Sequence, residues 1–285
     1  MVEMVESAAD LRRRVSDART AGKKIGLVPT MGALHDGHVR LIGQCRAESD
    51  FVVVSIFVNP TQFGAGEDLS RYPRPLEDDL RQSESAGADL VFFPTVQTVY
   101  PHGMNSTYVE VAGLADILEG ASRPGHFRGV ATVVLKLFEM VLPDLAVFGQ
   151  KDYQQQLLVK RMVADLHVPV QLSICPTVRE PDGLALSSRN RYLNPQERQA
   201  AVVLNRALER ARAAAQAGER RGDRIRQILD ETLKSEPMAE IDYAEVADAD
   251  TLERLGDLGN THRAVALLAV RIGTTRLLDN ALLTT

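Results

Sequence analysis

Over its first 180 residues the chain repeats one pattern: a short apolar run, a loop, then a segment whose apolar residues recur at helical spacing. Residues 25–28 (IGLV) read as a strand closed by Pro29, which has no N–H for a sheet ladder. From His38 onward, Val39, Leu41, Ile42 and Cys45 recur as on one face of a helix. Residues 51–58 (FVVVSIFV) are apolar and β-branched almost throughout, the texture of a strand covered on both faces. A charged segment near 77–81, an apolar run at 89–93, a helix near 130–141, a strand at 145–148, a helix at 152–166 and a strand at 170–178 follow. Strands alternating with helices imply parallel βαβ units with right-handed crossovers. The expected fold is α/β, a Rossmann-like doubly wound parallel sheet over residues 1–180. Ligands of such sheets bind beyond the carboxyl ends of the strands, so residues that carry chemistry should follow strands.

After about residue 180 the texture changes. Residues 195–218 read as one Ala/Arg/Glu-rich helix stopped by Gly218, 225–233 as a second amphipathic helix, and 241–246 and 263–271 as strands. They make a smaller C-terminal α+β domain over residues 181–285. The net charge of −5 gives no electrostatic footprint for nucleic acid or an anionic membrane, so an anionic ligand needs a local cluster of donors. No stretch approaches the ~20 apolar residues that span a bilayer. Cys45 and Cys175 fit no metal-ligand spacing and read as buried free thiols. With no apolar signal core in the first residues, a cytoplasmic location is expected.

Four segments follow strands and carry candidate chemistry. In residues 29–38 (PTMGALHDGH), Gly32 and Gly37 allow a ligand to approach the backbone, and His35 and His38 share one face of the first helical turn. That turn is expected to aim unpaired amides and a positive dipole end at phosphate. In residues 148–155 (FGQKDYQQ), Lys151 supplies a point charge for a phosphate, and Gln155 lies one helical turn beyond it; Asp152 reads equally as a helix cap. In residues 182–191 (DGLALSSRNR), Ser187, Ser188 and Arg189 offer hydroxyls and a guanidinium fork, although Ser and Asn also favour plain turns. In residues 58–64 (VNPTQFG), neutral Gln62 reads as a reader of substrate hydroxyls, or the stretch as a Pro-Gly turn. Arg123, His126 and Arg128 are a further anion contact or a basic surface turn. No nucleophile elbow and no zinc motif occurs. Positioning and charge stabilisation around phosphate remain, the logic of nucleotidyl transfer.

PTMGALHDGH, SIFVNPTQFG, FGQKDYQQ and DGLALSSRN, in this order, resemble the pantoate–β-alanine ligase family of the nucleotidylyltransferase superfamily. The resemblance runs nearly the length of the chain, to GTTRLLDN at 273–280. It implies attack of pantoate on ATP, release of pyrophosphate, and displacement of AMP from pantoyl adenylate by β-alanine. It assigns Met31, Gly32, Ala33, Leu34, His35, Asp36, Gly37 and His38 to ATP, with His38 the proton donor and His35 stabilising phosphate. Gly149, Gln150, Lys151, Asp152, Val178 and Leu186 complete the nucleotide site, and Lys151, Ser187, Ser188 and Arg189 lie near the departing pyrophosphate. Gln62 and Gln155 hold pantoate. Magnesium with ATP and a homodimer formed through the first domain are implied, and the C-terminal domain is expected to act as a lid. Asp78 and Asp79 are candidates for the magnesium ligands and the β-alanine site. Gln150 replaces the family's usual Glu in F-G-E-K-D; the amide keeps shape and hydrogen bonding, so activity is expected to survive. The alternatives are a nucleotidylyltransferase acting on a phosphorylated acceptor and an ATP-binding regulator without catalysis.

Overall fold

The structure, a computed structural model, describes residues 2–64, 66–259 and 263–283. The chain divides into two compact units. One runs up to Gln150 and adds Gln154–Pro176; the other comprises Lys151–Tyr153 and the residues from Thr177 onward.

The first unit contains β1 (Glu3–Val5), α1 (Ala8–Thr20), β2 (Ile25–Thr30), α2 (Asp36–Glu48), β3 (Phe51–Ile56), α3 (Leu76–Ser85), β4 (Leu90–Phe92), α4 (Val96–Val99), α5 (Glu119–Ser122), α6 (His126–Val141), β5 (Leu145–Gly149), all but the first residue of α7 (Tyr153–Asp165), and β6 (Gln171–Cys175). Its six strands pair in the order β1-β4-β3-β2-β5-β6, all parallel. The expected doubly wound sheet is therefore present. From β2 the chain winds outward through β3 and β4, then returns to build β5 and β6 on the other side. The switch point lies between β2 and β5, where such sheets hold their ligands. Val52, Val53 and Val54 of β3 are fully buried, as expected for a central parallel strand.

Pro29 does not close β2; the strand continues to Thr30 beside β3. Ile25 accepts from Asp144 on the β5 side and Thr30 accepts from Phe57 on the β3 side, so Pro29 faces β5. Pairing with β5 ends at Leu27, and the missing N–H falls beyond it. Conversely, β3 and β6 are shorter than the apolar runs at 51–58 and 170–178, because residues past Ile56 and Cys175 leave the ladder. The segment at 77–81 lies in helix α3. Cys45 and Cys175 are buried free thiols, and burial pushes Cys45 up to about 11.

The second unit is α+β. It holds α8 (Pro195–Ala200), α9 (Val203–Gln216), α10 (Gly222–Lys234), β7 (Ala239–Asp248), β8 (Ala264–Ile272) and β9 (Thr275–Leu282), the strands forming one antiparallel sheet. Leu204, Leu208, Ile225, Leu229 and Leu268 form its core. Residues 195–218 are two helices rather than one. At the junction Val202 and Leu204 bond to carbonyls three residues back, at Gln199 and Ala201, so the ladder tightens without a Gly or Pro to announce it. Strand β9 adds a third strand to the two expected and forms a hairpin with β8 across Gly273-Thr274. Among the described residues no helix is long and apolar enough to cross a membrane.

Candidate active site

The loop after β2 places both histidines at the switch point. His35 caps α2: its Nδ1 accepts from the Gly37 amide at 3.1 Å, while the Nδ1 of His38 accepts from the His35 amide at 3.3 Å. An imidazole usually cedes this position to Ser, Thr, Asp or Asn. The reciprocal bonds fix the tautomer, because a ring that accepts at Nδ1 and is neutral carries its hydrogen on Nε2. The ring centroids lie 4.2 Å apart, so two imidazoles occupy one face of the first turn, as the three-residue spacing implies.

The expectation of unpaired amides is corrected. Ala33 and Leu34 donate to Asp79 Oδ2 and Oδ1 at 2.9 and 2.7 Å, Gly32 donates to Thr30 Oγ1 at 3.1 Å, and His38 donates to the His35 carbonyl at 2.7 Å. These amides are occupied by the protein, so the imidazole side chains, more than the backbone, present donors here. Gly32 adopts φ +79, and a Cβ there would lie 2.8 Å from Asp79 Oδ2 and 2.9 Å from the side chain of Ile56. Only glycine accommodates both the angle and the approach. Asp79 is 1% exposed and accepts an amide of this loop on each oxygen, so it holds the loop in place. Asp78 pairs with Arg81 on the exposed side of α3. Among the described residues no group of three or more His, Cys, Asp or Glu is arranged to hold a metal. A magnesium ion arriving on ATP phosphates needs no such cage, since it commonly keeps waters and substrate oxygens as ligands.

Gln62 ends a short 3-10 turn, Pro60–Gln62, directly after β3, and is 8% exposed. Asn59 opens the turn; its buried side chain accepts from Tyr100 at 2.8 Å and donates to the Gly129 carbonyl at 3.2 Å. Of the three residues read as an anion contact, Arg123 and His126 are engaged internally, while Arg128 lies on the surface beside Glu110. Arg123 is paired with Glu67 at 2.6 Å, Arg128 with Glu110 at 3.2 Å, and His126 lies against Arg123. Burial, and then the neighbouring guanidinium of Arg123, push His126 down to about 4, so it is neutral near pH 7. In the unfolded chain the ring titrates near 6.5. Between about pH 6.5 and 4 the unfolded state therefore binds more protons, and stability falls as pH drops through that window. His126→Asn keeps a donor at the Nδ1 position but does not titrate. From pH 7 to pH 5 it should lose roughly 1–2 kcal/mol less than the parent protein. Urea unfolding at both pH values measures this; equal losses would remove His126 as the source.

In the first unit, β5 ends at Gly149 and the Gln150 amide donates to the Cys175 carbonyl at 2.8 Å. Gln155 is half-buried in the first turn of α7. Lys151 and Asp152 precede that helix rather than opening it, so Lys151 and Gln155 share no helical face. The neighbouring Gln154, not singled out by sequence, is 4% exposed and binds the Leu114 and Ile117 carbonyls and the Glu119 amide.

In the second unit Lys151, Ser187 and Arg189 line one small cleft together with Arg276, which no sequence argument had assigned. The Lys151 carbonyl accepts from Asn280 at 2.8 Å, while its ammonium lies 3.5 Å from Asp152, longer than a close charge-assisted bond. Ser187 Oγ accepts from the Arg189 amide at 3.3 Å and caps the short turn Ser188–Tyr192, so the turn reading of this segment also holds. Leu186 donates to the Val178 carbonyl at 3.0 Å, bringing those two positions together.

A family model described as pantoate-beta-alanine ligase matches residues 3–282. The chain is 57% identical over 259 residues to a pantothenate synthetase of Roseiflexus castenholzii, covering 91% of this chain and 92% of that one. Its structure superposes on that of pantothenate synthetase from Thermus thermophilus with TM-score 0.93 at 46% identity, both chains covered completely. A Francisella tularensis pantoate-beta-alanine ligase, solved in complex with beta-gamma ATP and β-alanine, gives TM-score 0.80 at 36% identity, covering 100% of this chain and 99% of that one.

Proposed function

The chain belongs to the pantoate–β-alanine ligase family, and on that premise we propose that it joins pantoate to β-alanine through an acyl adenylate made from ATP. A pantoate carboxylate oxygen attacks the α-phosphorus, the bond to the bridging oxygen breaks, and pyrophosphate leaves. The amine of β-alanine then attacks the acyl carbon, the carbon–oxygen bond to AMP breaks, and the amine gives up a proton. AMP is a far better leaving group than oxide, which is why ATP is spent. The adenylate must be shielded from water.

The observation that carries this reading is the imidazole pair at the switch point. Rings whose Nδ1 atoms accept backbone amides hold their hydrogens on Nε2, which suits donation toward oxygens that gain charge as pyrophosphate leaves. In this reading His38 is the proton donor and His35 stabilises phosphate beside it. The loop from Met31 to His38, with Gly149 to Asp152, Val178 and Leu186, forms the nucleotide site. Lys151, Ser187, Ser188 and Arg189 act on the departing pyrophosphate, and Gln62 and Gln155 hold pantoate. Magnesium enters with ATP. The second unit closes as a lid, and the protein works as a cytoplasmic homodimer.

Incubation with ATP, pantoate and β-alanine tests the reaction. AMP and pyrophosphate should form only when pantoate is present; turnover confined to a phosphorylated acceptor, without AMP, would replace this reading. Gln62→Ala should raise KM for pantoate about tenfold or more while changing KM for ATP by less than about threefold. An unchanged pantoate dependence would remove Gln62 from the acid site.

A further inference from the structure

Gln62 sits on a turn too short to fix itself. In and just after Pro60–Gln62, the Gln62 and Phe63 amides donate back to the Asn59 and Pro60 carbonyls, each at 3.2 Å, and the Asn59 side chain caps the turn at Thr61. None of these bonds holds the Gln62 carbonyl. Such single turns are weak alone. The carbonyl of Gln62 receives two donors from the start of α6 and the residues before it: His126 Nδ1 at 2.8 Å and Arg123 Nη2 at 3.1 Å. Arg123 Nη1 lies 3.1 Å from His126 Nε2. A guanidinium can only donate, so Nε2 accepts, the ring hydrogen is on Nδ1, and His126 donates to Gln62. Glu67 holds the guanidinium from its other edge, at 2.6 and 2.9 Å. Helix and turn also meet backbone to backbone. A Cβ on Gly129 would stand 2.4 Å from the Thr61 carbonyl oxygen and 2.9 Å from the Gln62 nitrogen.

We propose that His126 and Arg123, braced by Glu67, are positioning residues that set the orientation of Gln62 through its own carbonyl and so tune recognition of the acid substrate. They touch no substrate; they act through Gln62. The inference rests on the assignment of Gln62 to pantoate. The chain Glu67–Arg123–His126–Gln62 explains why a guanidinium and an imidazole precede and open α6 without presenting themselves to an anion. It also accounts for a glycine at 129, which lets the helix approach closely enough for His126 to reach.

The test compares His126→Phe, which keeps a ring against Phe127 but has no donor, with His126→Asn, whose amide restores the donor. His126→Phe should raise KM for pantoate about tenfold, the size of one lost hydrogen bond, with kcat and KM for ATP within about twofold. His126→Asn should return KM to within about threefold of the parent protein. In a Gln62→Ala background, His126→Phe should add no further pantoate penalty, because the two act as one unit. If His126→Phe does not fold, Glu67→Gln should give the same selective rise, smaller in size. Equal rises in both KM values, failure of His126→Asn to restore, or a full additional penalty in Gln62→Ala would overturn the proposal. A raised pantoate KM in Gln62→Ala with a normal one in His126→Phe overturns the clamp alone. A normal pantoate KM in Gln62→Ala overturns the assignment of Gln62 itself.

Discussion

Replacing His38 or Lys151 with alanine is expected to slow pantoate-dependent pyrophosphate release by on the order of 10²-fold or more, the usual cost of removing a donor aimed at developing charge. The two variants should differ in their side effects. The Nδ1 of His38 accepts the His35 amide, so His38→Ala also loses half of the capping box and about 1 kcal/mol of stability. Lys151 is anchored through its carbonyl by Asn280, which alanine preserves, and its ammonium has only a loose contact with Asp152. Lys151→Ala should therefore leave urea stability within about 0.5 kcal/mol of the parent protein. Rapid-quench measurement of the first half-reaction, run where both variants are fully folded, separates chemistry from stability. Near-parental pyrophosphate release in either variant would strip that residue of its role. A loss confined to the second half-reaction would move it to β-alanine transfer.

What could be read from the sequence was whatever periodicity and strand ends record. The βαβ alternation gave the parallel sheet, and the two-His, two-Gly loop stood at a strand end because topology puts chemistry there. The three-residue spacing of His35 and His38 translated directly into rings 4.2 Å apart. Strand β1 was not legible: three residues, two of them exposed, leave no apolar run. The break between α8 and α9 was hidden because Ala and Val serve a tightened turn as readily as a helix. The larger omission concerned long-range polar contacts. Asp79 lies in a charged stretch, DD, that looks solvated, and only its burial against a loop 45 residues earlier reveals what it does. Arg123 and His126 resembled an anion site for the same reason: sequence shows the charges but not Glu67, which lies 56 residues from Arg123 and holds it.

Asp79→Ala should be the most damaging single change distant in sequence from the proposed chemistry. The parent carboxylate accepts two backbone amides in a fully buried setting, at 2.7 and 2.9 Å. Charge-assisted bonds of this kind contribute roughly 1.5–3 kcal/mol each, and their loss strands two donors without solvent. A stability loss of about 3 kcal/mol or more follows, read as a shift in the urea midpoint. Asp79→Asn should recover little, because one of its two terminal atoms becomes an NH2 group that faces a backbone N–H. The catalytic consequence is separable from the thermodynamic one. Ala33 and Leu34 lead directly into His35, so a loop released from Asp79 no longer holds the imidazoles in register, and misplacement by about 1 Å can cost on the order of 10²-fold in rate. At low temperature and without denaturant, where the variant is still folded, pyrophosphate release per folded molecule should fall by that factor. A folded Asp79→Ala protein with parental turnover would mean that the capping bonds between His35 and His38 position the rings unaided. The loop's attachment to α3 would then serve stability alone.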